Sequence, residues 1–187
     1  SRCCHGMGNS IILDPYDVYR MTTGMGKSMQ ELLATSVELN VVDGVILPNL
    51  KMQGTEEACA YLDEEGRCSI HPYRPGICRL FPLGRYYENG GFSYFLQTGE
   101  CAKENRSKIK VSKWIDTPDL TRNQQFTLQW HDLLHAMEER LTGEDEGKQQ
   151  EENLLLLRLF YLLPYEGTTD FYSQFTERME YWNEQIR

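Results

Sequence analysis

The sequence has no apolar run long enough to cross a membrane, no basic surface cluster and no cysteine after Cys101. The longest apolar run, 154–163, is interrupted by Arg158 and closed by Pro164, which predicts a buried helix. A formal net charge of -9 argues against nucleic-acid binding, because phosphate neutralisation needs a basic surface. We therefore expect no nucleic-acid partner and no membrane partner. We expect that Ser1 is not the native start. Because the sequence shows no secretory signal, we also expect a cytoplasmic protein of bacterial type.

Disulfides are not needed to stabilise this chain. It has 187 residues, of which 40% are hydrophobic and 25% charged, enough for a core of ordinary size. A disulfide framework would be distributed over the whole of a small domain, whereas these cysteines all lie in roughly the first half of the chain. The adjacent pair would also make a strained disulfide, but two neighbouring thiolates can serve a metal cluster. The six cysteines are Cys3, Cys4, Cys59, Cys68, Cys78 and Cys101.

The central cysteines lie in a segment, 59–82, that is too rich in glycine and proline for a long helix. The Glu64-Glu65-Gly66 turn predicts a hairpin with Cys59 and Cys68 at its mouths. The zinc knuckle Cys-x2-4-Cys is absent, so scattered thiolates favour an iron-sulfur cluster and leave zinc as the alternative. Arg74 and Arg79 flank Cys78, and guanidinium groups there could donate to thiolate sulfur.

These residues resemble the YkgJ-type cysteine-cluster family of zinc- or iron-chelating domains. Its first signature is Cys-x2-Cys-x2-Cys-Cys followed by a strand and a helix, of which Cys3-Cys4 match the last pair. The resemblance implies a further cysteine immediately before Ser1, and Cys101 matches a later family cysteine. The second signature is matched by Cys59, Leu62, Cys68, Ile70, Arg74, Pro75, Cys78, Arg79, Phe81 and Pro82.

The resemblance covers about residues 3 to 105 and implies metal chelation. Flagellin lysine N-methylases look like distant relatives, so the resemblance also makes a component of a protein-modifying enzyme possible. A glycine-rich nucleotide loop is missing from the sequence. His71 stands where the family often has tyrosine, which leaves open whether it is a ligand or a packed ring.

The secondary-structure pattern predicts an α+β fold. Asp14 and Pro15 predict a helix to about Met21, ending at 22–24, and Ser28 caps a second helix. Strands are expected over 41–50 and 86–96, the second interrupted by a turn at 89–91. Three amphipathic helices follow from Trp114 onward, with the acidic stretch 143–147 as the loop between the first two.

We expect residues 1–110 to form a cysteine-cluster metal-binding domain, with a helical region, 111–187, packed on it as one compact unit. An iron-sulfur cluster, preferably 4Fe-4S, would serve redox or electron transfer with a protein partner. Structural or catalytic zinc is the alternative, and redox sensing by disulfide exchange needs a thiolate of lowered pKa. His131 and His135 lie one helical turn apart, a spacing that metal ligands also use. The predicted ligands, in order of preference, are Cys59, Cys68, Cys78, Cys4, Cys3 and Cys101.

Overall fold

The computed structural model describes residues 4–100 and 108–186. It confirms an α+β fold, with short antiparallel strand pairs and helices in the first part and helices in the second. The strands are β1 Val37–Val42, β2 Val45–Leu50, β3 Met52–Gln53, β4 Ala58–Cys59, β5 Leu83–Glu88 and β6 Gly91–Leu96. The helices are α1 Pro15–Met25, α2 Met29–Thr35, α3 Gly76–Leu80, α4 Val111–Ile115, α5 Leu120–Leu141, α6 Glu146–Leu157 and α7 Phe171–Gln185.

Both N-terminal helices begin where the sequence predicts. Asp14 caps α1 and Ser28 caps α2, and each forms a capping box with the residue three positions on. The predicted end of α1 near Met21 is wrong, because the helix continues through Gly24 to a left-handed cap at Gly26. At position 24 a Cβ atom would lie 2.3 Å from the Tyr73 ring, so glycine there serves close packing and does not end the helix.

The hairpins follow their turn residues. The predicted strand over 41–50 is wrong as a single element, because Asp43 and Gly44 take positive φ angles and reverse the chain between β1 and β2. The predicted hairpin around Asn89 and Gly90 is confirmed, with β5 pairing antiparallel to β6. Tyr87 on this hairpin stacks on His131 of α5, with ring centroids 3.8 Å apart. The hairpin therefore packs against the second part of the chain.

The helical part has the three predicted long helices with three differences. α4 precedes them, and residues Arg158–Leu162 continue α6 as a π-helical turn. The acidic stretch is not wholly a loop, because Asp145 caps α6 and the helix starts at Glu146. The N-cap carboxylate accepts a hydrogen bond from the Lys148 amide, which satisfies one of the amides left open at a helix start.

A hydrophobic cluster contains buried residues from both parts of the chain. Leu13 and Leu32 come from the first part, and Phe160 and Trp182 from the second. The Tyr161 hydroxyl adds a polar tie across the same core, since it donates to the Leu13 carbonyl oxygen at 3.1 Å. This core holds α1 in place, and α1 in turn contacts the cysteine-bearing loop.

None of the helices within the two described ranges is both long enough and apolar enough to pass through a bilayer.

Candidate metal centre

Cys4 lies beside the short strand that carries Cys59. His5 forms an antiparallel bridge with Ala58. In antiparallel pairing the residue before one partner lies opposite the residue after the other, which puts Cys4 next to Cys59. Two cysteines that are 55 positions apart in the sequence are therefore neighbours in register.

Cys68 returns to the same region through a tight turn. Leu62 bridges Cys68 antiparallel, and the amide of Asp63 donates to the carbonyl oxygen of Arg67 at 2.9 Å. The Leu62 amide also donates to the Cys59 carbonyl oxygen at 2.9 Å. The predicted hairpin is therefore confirmed at Cys68, whereas Cys59 lies one turn earlier, in β4, and pairs with β3.

Cys78 is carried by α3, which starts shortly after the hairpin. The His71 amide donates to the Cys68 carbonyl oxygen at 3.2 Å and opens a 3₁₀ turn, His71–Tyr73. Pro75 then caps α3, and Cys78 is half-buried in that helix. His71 itself is exposed. The path from Cys59 to Cys78 is thus a series of short turns, as the glycine and proline content predicts.

The cysteine-bearing loop is held on α1 by polar contacts that the sequence analysis missed. The Gly76 amide, at the start of α3, donates to Asp17 Oδ1 at 2.6 Å. Arg20 donates from Nη2 to the carbonyl oxygen of Pro72. A local signal existed for Asp17, since it lies three residues after the Asp14 cap, but its partner 59 positions away leaves no local pattern.

Burial dominates the electrostatics of this contact. It raises the pKa of Asp17, while the guanidinium of Arg79 lowers it. Nη2 of Arg79 is 4.0 Å from Asp17 Oδ1, and both side chains are almost fully buried. Within the described ranges, Nε and Nη1 of Arg79 have no hydrogen-bond partner. Two buried N–H donors of Arg79, the residue that follows Cys78 in the sequence, therefore remain for an acceptor.

Several of the predicted ligands lie near one another along the backbone. Cys59, Cys68 and Cys78 are partly buried against the hydrophobic cluster. In the part of the chain that the structure describes, however, no group of three or more His, Cys, Asp or Glu side chains is arranged to hold a metal ion. The predicted ligands Cys3 and Cys101 lie outside the described residues.

The remaining predicted residues have other surroundings. Arg74 ends the 3₁₀ turn and is partly buried. His131 and His135 are on one face of α5 with ring centroids 6.4 Å apart, and each has a carboxylate nearby. His131 also stacks on Tyr87, so its ring already serves packing against the β5–β6 hairpin.

Comparison with known protein families gives a match over residues 1–110 to CxxCxxCC, described as "Putative zinc- or iron-chelating domain". The chain belongs to this family. The CxxCxxCC match covers every predicted cysteine ligand and stops before α4. No curated protein and no solved structure matches the chain. The similarity to flagellin lysine N-methylases therefore stays a prediction.

The donor set of this CxxCxxCC chain fits the chemistry of zinc or iron. Thiolates are the preferred ligands of both zinc and iron-sulfur clusters. The four described cysteines are only partly exposed, which limits contact with water.

Proposed function

We propose that this protein binds an iron-sulfur cluster of the 4Fe-4S type through its own cysteines and transfers electrons to a protein partner. The ligands would come from Cys59, Cys68, Cys78 and Cys4, with Cys3 and Cys101 completing the set. The observation that supports the proposal is the pair of backbone bridges, His5 to Ala58 and Leu62 to Cys68, the first of which puts Cys4 opposite Cys59.

Two features favour iron-sulfur over zinc. The cysteines do not form the knuckles typical of structural zinc sites, and two of them are adjacent in sequence. Arg79, which follows Cys78 in the sequence, carries a buried positive charge that suits an anionic site of either metal. Hydrogen bonds and charge near cluster sulfur set the reduction potential, so Arg79 and Arg74 would tune the electron-transfer role. A zinc site is the alternative, because thiolates serve both metals.

The metal content of the anaerobically purified full-length protein tests this proposal. We expect a coloured protein with about four iron and four sulfide ions per chain. A colourless protein with stoichiometric zinc would replace the cluster by the zinc alternative. A protein without bound zinc or iron would contradict both the iron-sulfur proposal and the zinc alternative.

Replacement of one ligand tests the assignment. Cys78→Ser should lower the iron and sulfide content to less than about half, because an alkoxide is a poor substitute for a thiolate. Ile77→Ser is the matched control, since it introduces the same residue one position away at a partly exposed site. Equal metal content in the two variants would take Cys78 off the ligand set.

A further inference from the structure

An open cavity borders α3. It has a volume of about 430 Å³ and is lined by the start of α1, by α3, by the β5–β6 hairpin and by α5. This volume is near the lower end of the range for small-molecule sites, roughly 300–1,000 Å³. Most of the wall is apolar, and Leu80, Phe95, Trp130 and Leu134 contribute to it.

Two charged side chains on the wall lack a close partner of opposite charge. Asp14 and Arg85 both line the cavity. The positive charge of Arg85 lowers the pKa of Asp14, yet no ion pair within 4.0 Å joins them in the part of the chain that the structure describes. The other two charges nearby, Asp17 and Arg79, face each other instead.

The bonding of these groups indicates what a ligand must supply. Arg85 Nε is buried and has no hydrogen-bond partner within the described ranges, so it requires an acceptor. Both oxygens of Asp17 already accept backbone N–H groups, from Gly76 and Asp14. Asp14 Oδ1 accepts the Asp17 amide as the cap of α1, but among the described residues Asp14 has no cationic partner within 4.0 Å. Burial raises the pKa of Asp14, as expected for a carboxyl that lacks such a partner.

We propose that this cavity binds a small zwitterion with an apolar body, of the class of a free amino acid such as leucine or phenylalanine. The ammonium group pairs with Asp14, the carboxylate pairs with Arg85, and the apolar side chain lies against Leu80, Trp130 and Leu134. The proposal uses residues that are separate from the predicted metal ligands, and it stands or falls independently of which metal is bound.

Titration calorimetry of the full-length, metal-loaded protein with L-leucine and L-phenylalanine tests the proposal. At least one should bind saturably at one site per chain. Two analogues of leucine test the charged contacts. The first, 4-methylpentanoate, lacks the ammonium group, and the second, 3-methylbutylamine, lacks the carboxylate. Each should bind at least about tenfold more weakly, the loss expected for one charged hydrogen-bonded pair. Absence of saturable binding, or equal binding of either analogue, would overturn the proposal.

Two variants assign the groups. Asp14→Asn should weaken leucine binding about tenfold and leave the binding of 4-methylpentanoate unchanged. Arg85→Gln should also weaken leucine binding about tenfold, but it should leave the binding of 3-methylbutylamine unchanged. Asparagine is also a good N-cap, so α1 should persist in Asp14→Asn. Asp43→Asn, in an exposed turn, is the control and should bind leucine normally. Leu134→Phe should weaken binding by filling the cavity without a change of charge; binding unaffected by all three cavity variants would place the ligand elsewhere.

Discussion

One buried carboxylate, Asp17, connects the cysteine-bearing loop to helix α1. Asp17 is 2% exposed and accepts the amide of Gly76, two positions before Cys78. Its negative charge is compensated by Arg79, which also lies over the Tyr16 ring. Removing one charge of a buried pair leaves the other uncompensated, which costs more than the pair itself contributes.

We therefore expect Asp17→Asn to lower the free energy of unfolding by about 3 kcal/mol. The change keeps the shape of the side chain but leaves the Arg79 charge without its partner. Urea denaturation at neutral pH measures the effect. The exposed Asp43→Asn serves as the control and should change stability by less than about 0.5 kcal/mol; an equal effect in both variants would contradict the role of Asp17.

Asp14 should make stability depend on pH. Burial and the neighbouring Asp17 charge raise the pKa of Asp14 from 3.8 to about 7. Because this pKa is raised in the folded state, folding favours the protonated form, and the associated stability is lost as pH rises toward 7. Between pH 5.5 and pH 8 the native protein should lose about 2 kcal/mol relative to Asp14→Asn.

Urea denaturation of both proteins at the two pH values measures this difference. Comparing the two proteins cancels the contributions of titratable groups that do not interact with Asp14. A constant difference across this range would mean that Asp14 has an ordinary pKa in the folded protein.

At the scale of elements, helix α1 packs against the 3₁₀ turn that lies between Cys68 and Cys78. Gly24 allows the Tyr73 ring to lie directly on the helix surface. Glycine in a helix normally costs about 1 kcal/mol relative to alanine. Here the missing Cβ permits the close approach, so helix propensity and packing oppose each other at this position.

Gly24→Ala should therefore destabilise the protein by about 1–3 kcal/mol, because the new Cβ would force the Tyr73 ring away. In a Tyr73→Ala background the same substitution should stabilise by up to about 1 kcal/mol. This reversal of sign, measured by urea denaturation of the four proteins, reports the contact directly. If Gly24→Ala stabilised both backgrounds, the packing of Tyr73 on α1 would be refuted.

The element scale also shows where local sequence information is sufficient. The N-caps at Asp14 and Ser28 and the turn at Asn89-Gly90 depend on residues at most four positions apart, and all three predictions are confirmed. The predicted end of α1 is wrong because the helix continues past Gly24, whose missing Cβ accommodates the distant Tyr73 ring, to the left-handed cap at Gly26. Asp43-Gly44 is a local turn signal as strong as Asn89-Gly90, although it lies within an apolar run.

At the scale of the whole molecule, the cysteine-rich part and the helical part share a hydrophobic cluster. The division at residue 110 into a metal-binding domain and a packed helical region remains a prediction. All three tryptophans lie after that position, at 114, 130 and 182, whereas all six cysteines lie before it. The two parts therefore carry different spectroscopic probes.

We expect a single unfolding transition, because disrupting the shared cluster exposes apolar surface of both parts. Tryptophan fluorescence would follow the helical part, and cluster absorbance, or zinc release to a coloured chelator, would follow the cysteine-rich part. The two midpoints in urea should agree. Separate midpoints would show that the helical region unfolds independently of the metal-binding part.

The sequence by itself determined the chemistry of the candidate site: thiolates confined to the first half, on a turn-rich segment, in the pattern of a zinc- or iron-chelating family. It also determined the helix starts and one hairpin, since these depend on neighbouring residues. Only the tertiary structure placed Cys4 opposite Cys59, fixed α3 on Asp17 and formed the open cavity beside Asp14 and Arg85. Those features join residues far apart in sequence, and their energy comes from burial, which no local pattern contains.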